Sequence, residues 1–140
     1  MINTNFSDEE IYDNFLSLDV NKEAIINQSQ VIKKIANNGS VVIVGRCADY
    51  ILKDNDALVK VFIYANMDYR IQNIMKNYQD NEKQAKKHII KSDKSRAAYY
   101  NAIANSIWGD KNNYDLCIDA KIDNENVVKI ICDYINNSKY

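Results

Sequence analysis

Apolar positions along this 140-residue chain change period several times, and each change marks an element. From Asn21 they recur at helical spacing through Ile25, Ile32, Ile35 and Ala36. This predicts a helix ending at Asn38-Gly39, where glycine takes the left-handed conformation of a C′ position. Val41-Val42-Ile43-Val44 then runs without polar alternation, and a β-branched block of that kind predicts a strand buried on both faces. It stops at Gly45. Arg46 to Lys53 reads as a short helix and Val59 to Tyr64 as a second apolar strand. Helical spacing returns from Met67 to Tyr78 and from Glu82 to Ile107. The latter is too long to run uninterrupted in a domain of this size, so a break is expected near Ser92 or Asp93. Tyr114 to Asp119 forms a third strand, and Asn124 opens an amphipathic helix whose inner stripe is Val127, Val128, Ile131 and Ile135.

Strands that alternate with helices predict an α/β domain, a parallel sheet flanked by helices. A chain of this length fits one domain, residues 1–140, and buries a core without disulfides or metals. Residues 1–20 are polar and acidic, with Phe6, Ile11, Phe15 and Leu18 scattered among them. They suit an N-terminal arm or short helix, which leaves 21–140 as the core. In parallel sheets ligands bind beyond the carboxyl ends of the strands. Gly45-Arg46 lies at one such end, and Arg70 lies a few residues past another.

Charge narrows the classes of function. The formal net charge is -1, which offers no long-range attraction to nucleic acid or to an anionic membrane, so neither is an expected partner. No apolar stretch approaches a membrane span, and the first residues lack the basic and apolar regions of a signal peptide. Cys47, Cys117 and Cys132 are widely spaced and odd in number. They suggest neither a disulfide framework nor a metal cage, and the expected setting is a reducing cytoplasm.

The cations are unevenly allocated: fifteen lysines but three arginines, Arg46, Arg70 and Arg96. Only the planar guanidinium gives a fixed fork that grips phosphate by two hydrogen bonds. Arg46 follows a glycine that permits a sharp exit from the strand and close ligand approach, although an arginine there serves equally well capping carbonyls or pairing with Asp49. Arg70 lies in the first turns of a helix, where free N–H groups favour an anion; pairing with Asp68 or Asp80 is the plainer alternative. Asp93 and Arg96 stand at i, i+3 on one helical face, so the carboxylate can aim the guanidinium, as many surface pairs do. Tyr99-Tyr100 and Trp108 read as core packing. His88 reads as a solvated helical residue. Cys47, beside Arg46, is a candidate for a depressed pKa but reads as a small buried residue and not a nucleophile.

Taken together, Val-Ile-Val-Gly-Arg-Cys-Ala-Asp-Tyr-Ile-Leu52, Val-Phe-Ile-Tyr-Ala65 with Arg70, Asp93-Lys-Ser-Arg-Ala-Ala-Tyr-Tyr100, and Trp-Gly-Asp110 through Asn-Tyr-Asp-Leu-Cys-Ile-Asp119 resemble the cytidylate kinase-like family of nucleoside monophosphate kinases. The resemblance runs in order from about Asn21 to the C-terminus. It implies a P-loop kinase fold and transfer of the γ-phosphoryl group of ATP, with Mg²⁺, to CMP or dCMP. It also implies Arg70, Arg96 and Asp93 in catalytic roles, the last two on a lid of about 82–107, and Arg46 and Asp49 at the acceptor nucleotide. It implies no protein ligand for a metal within this chain.

Two departures shape the expectation. Where the family carries an aspartate directly after Gly-Arg to read cytosine, this chain has Cys47, and the nearest acid is Asp49. A phosphate loop of the G-x-x-x-x-G-K-[ST] kind is absent, since the glycines are Gly39, Gly45 and Gly109. The resemblance therefore implies an N-terminally incomplete enzyme, a fragment or a shortened gene product, that binds nucleotide weakly and transfers phosphate poorly or not at all alone. It also implies a sheet lacking the strand between Val41–Val44 and Val59–Tyr64. An open parallel edge invites self-association, so the alternative is a non-catalytic binding module that dimerises through it.

Overall fold

The structure is a computed structural model that describes residues 22–138; the arm expected over 1–20 lies outside the described residues. Among them stand five α-helices and two strands. In chain order they are α1 (Lys22–Ala36), α2 (Ala48–Ile51), β1 (Val61–Tyr64), α3 (Met67–Tyr78), α4 (Glu82–Ala104), β2 (Leu116–Asp119) and α5 (Asn124–Asn137), with a 3₁₀ turn at Lys111–Asn113 before β2. The architecture is α/β, and the two strands pair in parallel with Val61 opposite Leu116 and Tyr64 opposite Asp119. Backbone bonds extend the ladder at both ends, from Leu116 N to Lys60 O at 3.2 Å and from Ala120 N to Tyr64 O at 2.7 Å.

The strand expected at Val41–Val44 is not formed. Val42 is 91% exposed and Val44 89%, and no backbone hydrogen bond among the described residues reaches the segment. A strand exists only where a neighbour accepts its N–H and C=O groups, and the two described strands pair with each other. No described strand pairs with the far edge of β1 either, and Ile63 and Tyr64 are half exposed. Three strands were expected, and two are present among the described residues.

Helix ends follow local chemistry. Asn66 caps α3 by accepting from Tyr69 N at 3.0 Å, and Gln79 closes it in the left-handed region, so Met67–Tyr78 forms as expected. The break expected near Ser92 is absent, and α4 runs unbroken for 23 residues. It contains neither Gly nor Pro, it opens on a capping box between Asn81 and Gln84 and it closes on left-handed Asn105. The last helix is capped by Asp123, whose carboxylate accepts from Asn126 N at 3.0 Å, one residue earlier than expected. The first helix ends at Ala36, three residues short of Gly39.

Helix α4 is the spine of the core. Near its start, Ala85 and Ile89 pack with Ile71 of α3, flanked by Met67 and Ile74. Burial of each isoleucine contributes on the order of 1.5–3 kcal/mol. Near its end, Tyr100 and Ala104 enclose Cys47, with Tyr50, Tyr99, Ile103 and Trp108 around them. Phe62 of β1 joins this second cluster, stacked on Tyr114 at 4.7 Å and edge-on to Trp108 at 5.9 Å. The stripe expected on α5 is only partly used: Val127 is buried, whereas Val128 and Ile135 are exposed.

Candidate functional site

Two groups of polar residues lie along α4. The first joins α4 to α3. Arg70 Nη1 and Nη2 donate to Asp93 Oδ2 and Oδ1, both at 2.7 Å, a fork-to-fork pair between residues 23 apart. Both side chains are about 30% exposed. Asp93 also faces Arg96, but at 3.9 Å, and Arg96 is 61% exposed. The carboxylate expected to aim Arg96 thus holds Arg70 firmly and Arg96 loosely. Its hydrogen bonds raise the Arg70 guanidinium above its ordinary range, ahead of the opposing effect of burial.

A cavity of about 430 Å³ opens beside this pair. Arg70, Asn73, Ile74 and Tyr78 of α3 line one wall, and His88, Ile89, Ser92 and Arg96 of α4 the other. Arginine, histidine and hydrogen-bonding side chains make up most of this lining, and Ile74 and Ile89 are its aliphatic part. The histidine at its rim is not merely solvated, because Asp80 Oδ2 lies 2.7 Å from His88 Nδ1. That partner is eight residues away across the α3–α4 turn, a spacing at which sequence gives no signal.

The second group surrounds Arg46. Gly45, Arg46 and Cys47 have φ of 72°, 58° and 54°, three successive residues in the left-handed region, of which two are not glycine. This turn replaces the start of the expected Arg46–Lys53 helix. Arg46 is exposed, and no described residue pairs with its guanidinium. Asp49 does not hold it; its carboxylate instead accepts from Tyr100 Oη at 2.8 Å. Gln28 Nε2 of α1 donates to Tyr99 Oη at 3.0 Å and to the Arg46 carbonyl at 3.4 Å. Both tyrosines therefore bear hydrogen bonds that a reading of plain packing misses. The available signal was their position three and four residues beyond Arg96, on its face of the helix.

Burial dominates the acid–base chemistry here. It pushes the Cys47 thiol up to about 11, with the Asp49 charge adding to the effect, so the depressed pKa considered for Cys47 is reversed. Burial, and then the bond to Asp49, raise the Tyr100 phenol above its ordinary value. Tyr114 is raised as well, chiefly by burial.

The structure thus brings Arg70, Asp93 and Arg96 together and places Arg46 and Asp49 in a separate group. Asp93, Arg96 and Tyr100 stand at i, i+3 and i+7, one stripe of α4 about 10 Å long. Among the described residues no three His, Cys, Asp or Glu side chains gather as a metal site. No described helix is long and apolar enough to cross a membrane.

No curated protein matches the chain. The crystal structure of an uncharacterized protein from Eubacterium ventriosum superposes with a TM-score of 0.78 at 38% identity, over 81% of this chain and 65% of that one. The chain therefore spans 65% of that protein's length. The family model described as cytidylate kinase-like matches residues 2–122, which include both arginine groups and β1 and β2. On this match the chain belongs to the cytidylate kinase-like family.

Proposed function

We propose that this chain supplies the acceptor and lid side of a nucleoside monophosphate kinase of P-loop type. It holds the phosphate of CMP or dCMP for transfer of the γ-phosphoryl group of ATP. The observation that carries this reading is the Arg70–Asp93 fork with Arg96 beside it, over a cationic cavity between α3 and α4. Phosphoryl transfer needs positioning and neutralisation of charge on the phosphate oxygens, and no protein nucleophile. Arg96, loosely tied, is the cation free to turn toward a phosphate, while Arg70 is already oriented by Asp93. Arg46 offers the acceptor a guanidinium that no described residue pairs.

The donor side does not fit these residues. The sequence has no glycine-rich phosphate loop with its lysine and hydroxyl, and the described carboxylates do not converge to hold Mg²⁺. Alone, the chain should bind a monophosphate more readily than ATP and show no ordinary turnover. Titration calorimetry with CMP and with ATP, beside a coupled kinase assay, tests this. Saturable CMP binding without turnover is the expected result. Absence of CMP binding overturns the acceptor role, and ordinary kinase turnover overturns the inactivity.

A second reading, a non-catalytic module that dimerises, rests on the exposure of Val42 and Val44 and on an edge of β1 that no described strand pairs. Sedimentation velocity distinguishes it: a dimer broken by Val42→Lys supports edge pairing, and a monomer at high concentration rules it out.

A further inference from the structure

The Gly45-Arg46-Cys47 turn is costly for the backbone, since two non-glycine residues in succession adopt the left-handed conformation. Such a turn persists only where its surroundings over-determine it. Three contacts do so. Gln28 of α1 bonds the Arg46 carbonyl and, with the same Nε2, the hydroxyl of Tyr99. The Cys47 side chain is 4% exposed beneath Tyr100 and Ala104. Tyr100 Oη donates to Asp49, one residue into α2. Consecutive residues on a helix point about 100° apart, so Tyr99 and Tyr100 address opposite ends of the turn.

We propose that Gln28, Tyr99 and Tyr100 form a clasp that holds the Arg46 turn in its left-handed conformation, with Tyr100 a positioning residue for the Arg46 guanidinium and Asp49 its acceptor. The inference rests on the reading of Arg46 as a phosphate ligand. The clasp gives that reading a physical link, because Tyr100 lies one helical turn beyond Arg96. A shift of α4 that re-aims Arg96 also pulls on Asp49 and on the turn that presents Arg46. Acceptor binding and the posture of α4 are thereby coupled without any contact between the two arginines. Tyr100 is raised in pKa by its burial and its bond to Asp49, so it remains a donor throughout the neutral range.

The test removes single hydroxyl or amide groups and reads both the turn and the ligand. Tyr100→Phe and, separately, Gln28→Met are compared with the intact protein by hydrogen exchange of the Ala48–Leu52 amides and by CMP calorimetry. Exchange in that segment is expected to rise about five-fold, and CMP binding to weaken about five-fold, the loss of one hydrogen bond. In an Arg46→Ala background, Tyr100→Phe should change CMP binding no further. An equal loss with and without Arg46 means that Tyr100 acts only through stability, and it overturns the positioning role. Unchanged exchange in Tyr100→Phe and Gln28→Met overturns the clasp. Where the intact protein binds no CMP, the phosphate-ligand reading of Arg46 falls, and exchange alone still decides the clasp.

Discussion

Asp93→Ala is the most informative single perturbation, because it removes the one carboxylate that Arg70 and Arg96 both face. The structure sets the magnitude. A unit charge pair at about 4 Å is worth roughly 1 kcal/mol in water and roughly 4 kcal/mol in a protein-surface medium. Against this stand partial desolvation and the ordering of two long side chains. The pair is bidentate at 2.7 Å with both partners about 30% exposed. It therefore ranks above an ordinary surface pair and below a buried one, at about 1–2 kcal/mol net. Arg70 is exposed enough to regain water when released, so no large penalty for a stranded charge is added. A domain of this size should then melt about 3–8 °C lower. The cleaner measure is a double-mutant cycle with Arg70→Met in urea, where a coupling of about 1 kcal/mol is expected. It should be reduced but not abolished by 1 M salt, since screening weakens for half-buried pairs. A coupling below about 0.3 kcal/mol would make the fork an incidental surface contact and overturn this prediction.

Two further outcomes follow from the same geometry. Cys47 is buried and its thiol is raised to about 11 from an ordinary 9.0, so the folded state holds this proton more tightly than the unfolded state. Its contribution is complete below pH 9 and is lost as pH climbs toward 11; thermal melts across that window should show a decline that Cys47→Ala reduces, and thiol titration at pH 8 should find Cys117 and Cys132 reactive and Cys47 protected. Gly109 has φ of 79°, and an added Cβ would meet Phe62 Cζ at 3.3 Å, so Gly109→Ala should lower stability by about 1 kcal/mol or more, read in urea, by straining the turn and disturbing Phe62 against Trp108.

What the sequence made legible was local. Helix α3 was readable to the residue because Asn66 and Gln79 close it with their own side chain and backbone. The fold class was readable because parallel pairing of Val61–Tyr64 with Leu116–Asp119 follows from strands separated by helices. What escaped was non-local. Val41–Val44 has the composition of a buried strand, but composition cannot supply a neighbour, and none of the described residues does. Asp93 has Arg96 three residues away in sequence, yet the shorter contact goes to Arg70 on another helix. Asp80 and His88 meet for the same reason, across the α3–α4 turn. The length argument that predicts a break in α4 fails because the segment contains neither Gly nor Pro and carries capping residues at both ends. All five site residues named from the sequence occupy α2, α3, α4 or the turn before α2, but as two groups along one helix and not as a single cluster.

In the proposed function the guanidinium forks of this chain bind the phosphate of a nucleoside monophosphate. Calorimetric titration of CMP and of cytidine into the intact protein and into Arg96→Lys decides whether they do. CMP should bind at least ten-fold more tightly than cytidine, and Arg96→Lys should weaken CMP by about ten-fold, the loss of a bidentate charge-assisted contact that a point charge does not replace. Equal binding of CMP and cytidine, or undiminished CMP affinity with lysine at position 96, would contradict that function.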